Sequence, residues 1–266
     1  MLRYNHSLVE KKWLQAEQEK PRAGEGLPAA CTVLIPKDHA GVDLENARLL
    51  VLTDFFASLS WNRSWVHLTV GGTDRLQNIA RRLGITFQPA VAPVSCGLAL
   101  LPRDFAHLGN AVQGEQMLLT GRLLGGMDLE PLLMDVGGDA LRLYFLHLGP
   151  PERDYTFNWH VLASAHRFVQ KVWRLAQGAN LVGPQSGEPA LADVAALVKA
   201  RAAQGKPHTA LAALMGFLKE KTALSAGEVG AVARLLRPFT PFLSAELMSM
   251  APVQDQDHRQ GDQTDA

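Results

Sequence analysis

The tripeptide Gly149-Pro150-Pro151 separates two amphipathic runs, and no other stretch restricts the fold as sharply. Proline has no backbone donor and keeps the residue before it out of the helical region, so a helix reaching Gly149 must stop there. Before the corner, Leu141, Tyr144, Phe145 and Leu148 fall on one helical stripe. After it, Val161, Ala165, Phe168, Val172 and Leu175 recur at three- and four-residue spacing and predict a second helix starting near Asn158. Its outer face carries Arg167, Lys171 and Arg174 and no acid. The segment 139–175 therefore predicts a helix, a rigid corner and a basic-faced helix.

The wording of this segment closely resembles the junction in leucyl-tRNA synthetases where the catalytic domain passes into the helical tRNA-binding domain. The resemblance is carried by Asp139-Ala140-Leu141-Arg142, the corner through Glu152 and Asp154, Trp159, Ala165-His166-Arg167-Phe168 and Val172-Trp173-Arg174. A second match lies in Thr209–Met215 and in Leu235-Leu236-Arg237-Pro238-Phe239-Thr240-Pro241 through Leu247, in the same order as in the family. Val9-Glu10-Lys11-Lys12-Trp13 resembles the family's first helix, for which Ser7 is the expected cap and Val9, Trp13 and Leu14 the apolar face.

Charge adds one local feature. The 26 basic and 26 acidic residues cancel, so no global field points to a nucleic-acid partner. Residues 160–237 nevertheless hold ten Lys/Arg against four acids, which is either a solvated helix face or a phosphate-binding one. Cys31 and Cys96 are too few for a disulfide framework and lack metal spacing, which suits a reducing cytoplasm. No apolar run approaches about 18 residues and no signal-peptide pattern opens the chain, so a cytoplasmic protein without a membrane partner is expected.

Residues 31–92 read as βαβαβ: a strand at Thr32–Ile35, a loop from Pro36 to Gly41, and a helix with Leu44, Ala47, Leu50, Val51, Phe55 and Leu59 inward. A strand at 65–70, a helix at 75–82 and a strand at 86–91 follow. Such alternation predicts a parallel sheet with crossover helices, a Rossmann-like half-domain. Residues 93–115 receive no assignment. Breakers at 178–190 make a connector. Beyond it, helices are expected with Leu191, Val194, Val198 and Ala202 inward, then Leu211, Leu214, Met215 and Leu218, then a helix capped by Ser225 with Glu228 as its capping-box partner.

The resemblance implies two signature motifs, and both are altered. The first is a "HIGH" motif, whose histidines meet ATP phosphates in the transition state. Leu44-Glu45-Asn46-Ala47 occupy its place, so both histidines are missing and Glu45 adds a negative charge. His39 precedes the helix, as a loop histidine or a substitute. The second is a Lys-Met-Ser-Lys-Ser loop, whose second lysine neutralises departing pyrophosphate. Leu119-Thr120-Gly121-Arg122 stand there, with Gly121 for that lysine and Arg122 either reaching a phosphate or serving as a loop residue. The family's long editing insertion has no room between the two.

The expected architecture is α/β plus all-α. Residues 1–135 form a degenerate Rossmann-like domain without the editing insertion, 136–250 a helical anticodon-binding-type bundle, and 251–266 a disordered tail rich in Gln and Asp. The expected function is that of a truncated, degenerate leucyl-tRNA synthetase paralogue that binds tRNA through Arg167, Lys171 and Arg174, with Lys199, Arg201, Lys206 and Arg237 in support. Activation of leucine is expected to be lost, with no metal or cofactor required and ATP binding doubtful. Two alternatives remain open: a transferase passing leucine from tRNA to another acceptor molecule, and a structural partner of a full-length synthetase. DNA is not an expected partner.

Overall fold

The computed structural model describes residues 3–18, 26–36, 42–61, 65–71, 74–125, 127–178 and 188–250. His39, most of the 178–190 connector and the expected tail at 251–266 lie outside them.

The chain opens with α1 (His6–Gln18), capped by Asn5, whose side chain accepts from the Leu8 amide at 3.2 Å. Ser7 was the expected cap, but it lies inside the helix, because Asn5 already satisfies the orphan donors. Next come β1 (Ala29–Val33), α2 (Val42–Trp61), β2 (Val66–Val70), α3 (Asp74–Arg82) and β3 (Gln88–Pro89). β1 starts before the expected Thr32 and ends before Ile35, and the expected strand at 86–91 shrinks to two residues. Val91 is exposed.

The unassigned stretch holds β4 (Val94–Pro102) and the start of β5 (Val112–Thr120), the two longest strands among the described residues. They run parallel, joined by an irregular 3₁₀ stretch, Arg103–Ala111. The sheet order is β3-β2-β1-β4-β5, with every pairing parallel. This is a Rossmann-like α/β core, and the order reverses between β1 and β4. Crevices at such switch points, outside the strand carboxyl ends, are where ligands bind in open α/β sheets.

α2 is apolar on nearly all sides because it lies between the sheet and α5. Leu59 is an exception, exposed near the helix end rather than inward as expected. After β6 (Leu123–Leu124) come α4 (Leu129–Val136) and α5 (Gly138–His147), then β7 (Tyr155–Thr156), which pairs in parallel with β6. The predicted corner sits between α5 and β7. Gly149 adopts φ +139°, a backbone open to glycine but not to side-chain-bearing residues.

α6 (Trp159–Gln177) starts where predicted, with the Asn158 side chain accepting from the His160 amide at 2.8 Å. α7 (Glu188–Ala203), α8 (Pro207–Lys219), α9 (Ala226–Leu236) and α10 (Pro241–Met250) complete the helical layer. The capping box of Ser225 and Glu228 is present.

The Asp139-Ala-Leu-Arg142 motif joins the layers. The buried Asp139 carboxylate accepts from the Phe242 and Leu243 amides at 3.2 and 2.6 Å, capping α10. Arg142, 1% exposed, donates to the carbonyls of Leu83 and Pro238 and to Asp54 Oδ2 at 3.0, 2.7 and 2.7 Å. A buried guanidinium is tolerated because its donors are matched. The motif is a hub tying α5 to α2, α3 and the α9–α10 turn.

Candidate functional site

The residues expected at the first signature position lie in the first turn of α2, and those expected at the second span the last two residues of β5 and the loop after it. Both therefore sit at the carboxyl ends of the strands, beside the β1/β4 reversal. Of the four residues in the first, Leu44 and Ala47 are fully buried in the core. Asn46 is spent on the backbone of Ile35, accepting its amide at 2.8 Å and donating to its carbonyl at 3.1 Å.

Glu45 reaches across to Arg122. The Arg122 Nε donates to Glu45 Oε1, its Nη2 donates to Oε2 at 2.9 Å, and the Leu123 amide donates to Oε1 at 3.3 Å. Arg122 Nη1 lies 3.5 Å from Asp104 Oδ2, and the guanidinium stands 5.2 Å from the Phe105 ring centre. The Glu45 side chain is 5% exposed and that of Arg122 19%, so the pair is largely withdrawn from water. These partners push the Arg122 pKa up, Glu45 foremost. Glu45 and Asp104 flank Arg122, and Arg103 Nε stands 3.9 Å from Asp104 Oδ1.

The loop holding Arg122 is braced from behind. Arg48, on α2, donates to the Gly121 carbonyl at 2.7 Å and the Pro151 carbonyl at 3.0 Å. The Gly121 amide donates to the same Pro151 carbonyl at 3.0 Å. A Cβ on Gly121 would lie 2.2 Å from the Arg153 carbonyl carbon, so only glycine fits where the backbones cross. The Arg122 amide donates to Asp154 Oδ1 at 2.9 Å, and Asp154 is paired with Arg103 at 3.0 Å. The proline corner and the second signature loop therefore form one hydrogen-bonded unit. Thr120 is buried beneath it, and Leu119 is exposed at the strand edge. Asp154 was read only as part of the corner, and Arg48 and Asp104 were given no role; for Arg48 the available signal was the single basic residue of an apolar helix.

The seven basic candidates are dispersed. Arg167 and Arg174 are exposed on α6 and, among the described residues, bonded only to their own helix, Arg167 to Ser164 Oγ at 2.8 Å and Arg174 to the Gln170 carbonyl at 3.4 Å. Lys171, half-buried, donates to the Lys219 carbonyl and so closes the last turn of α8. Lys199 and Arg201 are two residues apart on α7 and so face different ways. Lys206 sits at the start of α8, with Nζ 3.5 Å from Gln204 Oε1. Lys199 and Arg237 meet at a groove that also contains Arg234, which the sequence reading passed over.

Among the described residues no group of three His, Cys, Asp or Glu is placed to hold a metal. No helix among them is long and apolar enough to cross a membrane.

No family model matches the chain. Its curated relatives include a leucine–tRNA ligase of Pseudomonas syringae pv. syringae, 29% identical over 91% of this chain and 32% of that protein. Another, from Thermosynechococcus vestitus, is 24% identical over 96% of this chain and 33% of that protein. The chain thus spans about a third of the length of these relatives. A solved ternary complex of an Agrobacterium radiobacter K84 leucyl-tRNA synthetase with tRNA and LeuAMS gives a TM-score of 0.42 at 17% identity, covering 57% of this chain and 25% of that one.

Proposed function

Because the chain is leucyl-tRNA synthetase-like, we propose that it binds tRNA and does not activate leucine with ATP. The observation that carries this reading is the ion pair between Glu45 and Arg122. Adenylate formation needs positive charge preorganised at the phosphates that leave. At the two positions corresponding to the signatures, the remaining cation is already neutralised by a carboxylate from the other. Asp104 adds a second negative charge beside them. Polyphosphate brought to this place would have to compete with Glu45 and Asp104 for Arg122, and freeing Arg122 would leave Glu45 buried and unpaired.

The tRNA grip is assigned to Arg167 and Arg174, with Lys171 contributing less because its ammonium is held by α8. Lysines and arginines on a rigid helix bind phosphates with salt-dependent affinity and little sequence discrimination. Lys199, Arg201, Lys206 and Arg237 extend the positive surface at other points.

Two measurements test the proposal. Leucine-dependent ATP–pyrophosphate exchange is expected to be absent, and robust exchange would overturn the loss of activation. Filter binding with leucine tRNA and a non-cognate tRNA at two salt concentrations is expected to show similar, salt-sensitive retention. The Arg167/Lys171/Arg174 triple alanine variant should bind more weakly and with a shallower salt dependence, by about one unit of log–log slope for each phosphate that it no longer neutralises. Equal binding by variant and wild type would remove the assignment.

A further inference from the structure

A second site lies at the far end of α2, about 20 Å along the helix from Glu45 at 1.5 Å per residue. There α2, the start of β2, α7 and the α9–α10 turn enclose a cavity of about 600 Å³. Trp65, Leu235, Lys199, Arg234 and Arg237 contribute to its walls. The acid that lines it, Asp54, is already paired with the buried Arg142 at 2.7 Å. Lys199, Arg234 and Arg237 have no hydrogen bond or ion pair from their side chains among the described residues. Three uncompensated cations thus surround a space that also offers an indole. Trp65 is held in a row of rings, 6.5 Å from Trp61 and 5.5 Å from His67.

We propose that this groove takes a single-stranded ribonucleotide segment, with its phosphates against Lys199, Arg234 and Arg237 and a base against Trp65. The volume lies in the range of small-ligand pockets, about 300–1,000 Å³. Cations that follow a phosphate backbone beside an aromatic platform are the elements of sequence-tolerant single-strand sites. Arginine forks suit phosphate oxygens, and the two here are three residues apart, on the last turn of α9 and just after it. An acidic peptide would satisfy the cations but would leave the indole unused. The inference deepens the RNA-binding reading above and rests on it. It assigns Lys199 and Arg237 to a place of their own, and it adds Arg234 and Trp65.

The test uses the full chain with two probes, intact leucine tRNA and a fluorescein-labelled six-residue oligouridylate. Wild type is expected to bind the oligonucleotide with quenching of tryptophan emission. Affinity should fall roughly twentyfold between 50 and 200 mM salt, as about three single-strand phosphate contacts imply. The K199A/R234A/R237A variant should bind it at least tenfold more weakly with an unchanged circular dichroism spectrum, a larger loss than R167A/R174A shows. W65F should keep affinity within about threefold by anisotropy while losing the quench. The inference is overturned if the oligonucleotide does not bind, if the groove variant matches wild type, or if a hexaglutamate peptide displaces the oligonucleotide at equal concentration. tRNA retention without oligonucleotide binding would sink the groove alone. Groove-dependent oligonucleotide binding without tRNA retention would support the groove and sink the tRNA reading.

Discussion

Glu45 and Arg122, 77 residues apart in the chain, form a two-point ion pair with Nη2 and Oε2 2.9 Å apart. The pair joins the first turn of α2 to the loop after β5. Because the Leu123 amide also donates to Glu45, the carboxylate fixes the loop backbone as well as the guanidinium. The contact therefore has a structural role at the place where the sequence resemblance implied a catalytic one.

Breaking the pair from one side should cost more than replacing both partners. Arg122→Ala strands a carboxylate that is 5% exposed, so a loss of about 3 kcal/mol is expected in urea unfolding. Glu45→Gln keeps an acceptor for the Leu123 amide and should cost about half as much. In a double-mutant cycle the coupling should exceed about 1 kcal/mol. A coupling near zero would mean that the two side chains merely lie close together.

Gly121 should resist any side chain. Alanine there would drive Cβ into the Arg153 carbonyl carbon at 2.2 Å, so Gly121→Ala is expected to lose at least about 2 kcal/mol. Gly121→Lys, which restores the family's cation by sequence, should destabilise at least as much and yield no ATP–pyrophosphate exchange. A well-folded Gly121→Lys variant with exchange activity would show that the loop opens in solution.

The helical layer was legible because its signals are local. The stripe of α6, the Asn158 start and the Ser225/Glu228 box each depend on residues within a few turns of one another. The α/β layer was read only in part. β4 is buried along most of its length and β5 lies mostly exposed at the sheet edge, so neither shows a clean alternation. The candidate site was less legible still. Its expected signature positions rest on resemblance, but Arg48 grips carbonyls of residues 121 and 151, and carbonyls leave no mark in a sequence. The partnership of Glu45 with Arg122 depends on the sheet bringing two strand ends together, which periodicity does not encode.

Stability should fall as pH rises through neutrality. Glu10 accepts from the Gly138 amide at 2.7 Å, and its Oε2 lies 4.0 Å from Arg82. Burial is the largest influence on it and raises its pKa to about 7. Burial likewise raises Asp139 to about 6 against the pull of two amides, Arg142 and Tyr4. Both folded values lie above the unfolded ones of about 4. The folded state therefore holds these protons more tightly, and the stabilisation present below about pH 4 disappears as pH rises through 6–7. Glu10→Gln should match wild type near pH 4 and melt at least about 5 °C higher at pH 8. Parallel pH profiles for the two proteins would remove Glu10 as the cause.

His67 should stay neutral and in one tautomer far into the acid range. Its Nε2 lies 2.8 Å from Thr32 Oγ1, Thr32 donates to Thr53 Oγ1 at 2.7 Å, and Thr53 donates to the Leu49 carbonyl at 3.0 Å. A carbonyl only accepts, so each hydroxyl proton in the chain must point toward Leu49, and Nε2 must carry the imidazole proton. Nδ1 has no partner. Burial, with Arg142 adding to it, lowers the His67 pKa to about 3. A group depressed in this way supports the fold above its unfolded value of about 6.5, and that support is lost as pH falls toward 3. Nitrogen-15 shifts of His67 are expected to show protonated Nε2 and bare Nδ1 from pH 8 to pH 5. A protonated Nδ1 would reverse the hydroxyl chain, and titration near pH 6.5 would mean that water reaches the ring.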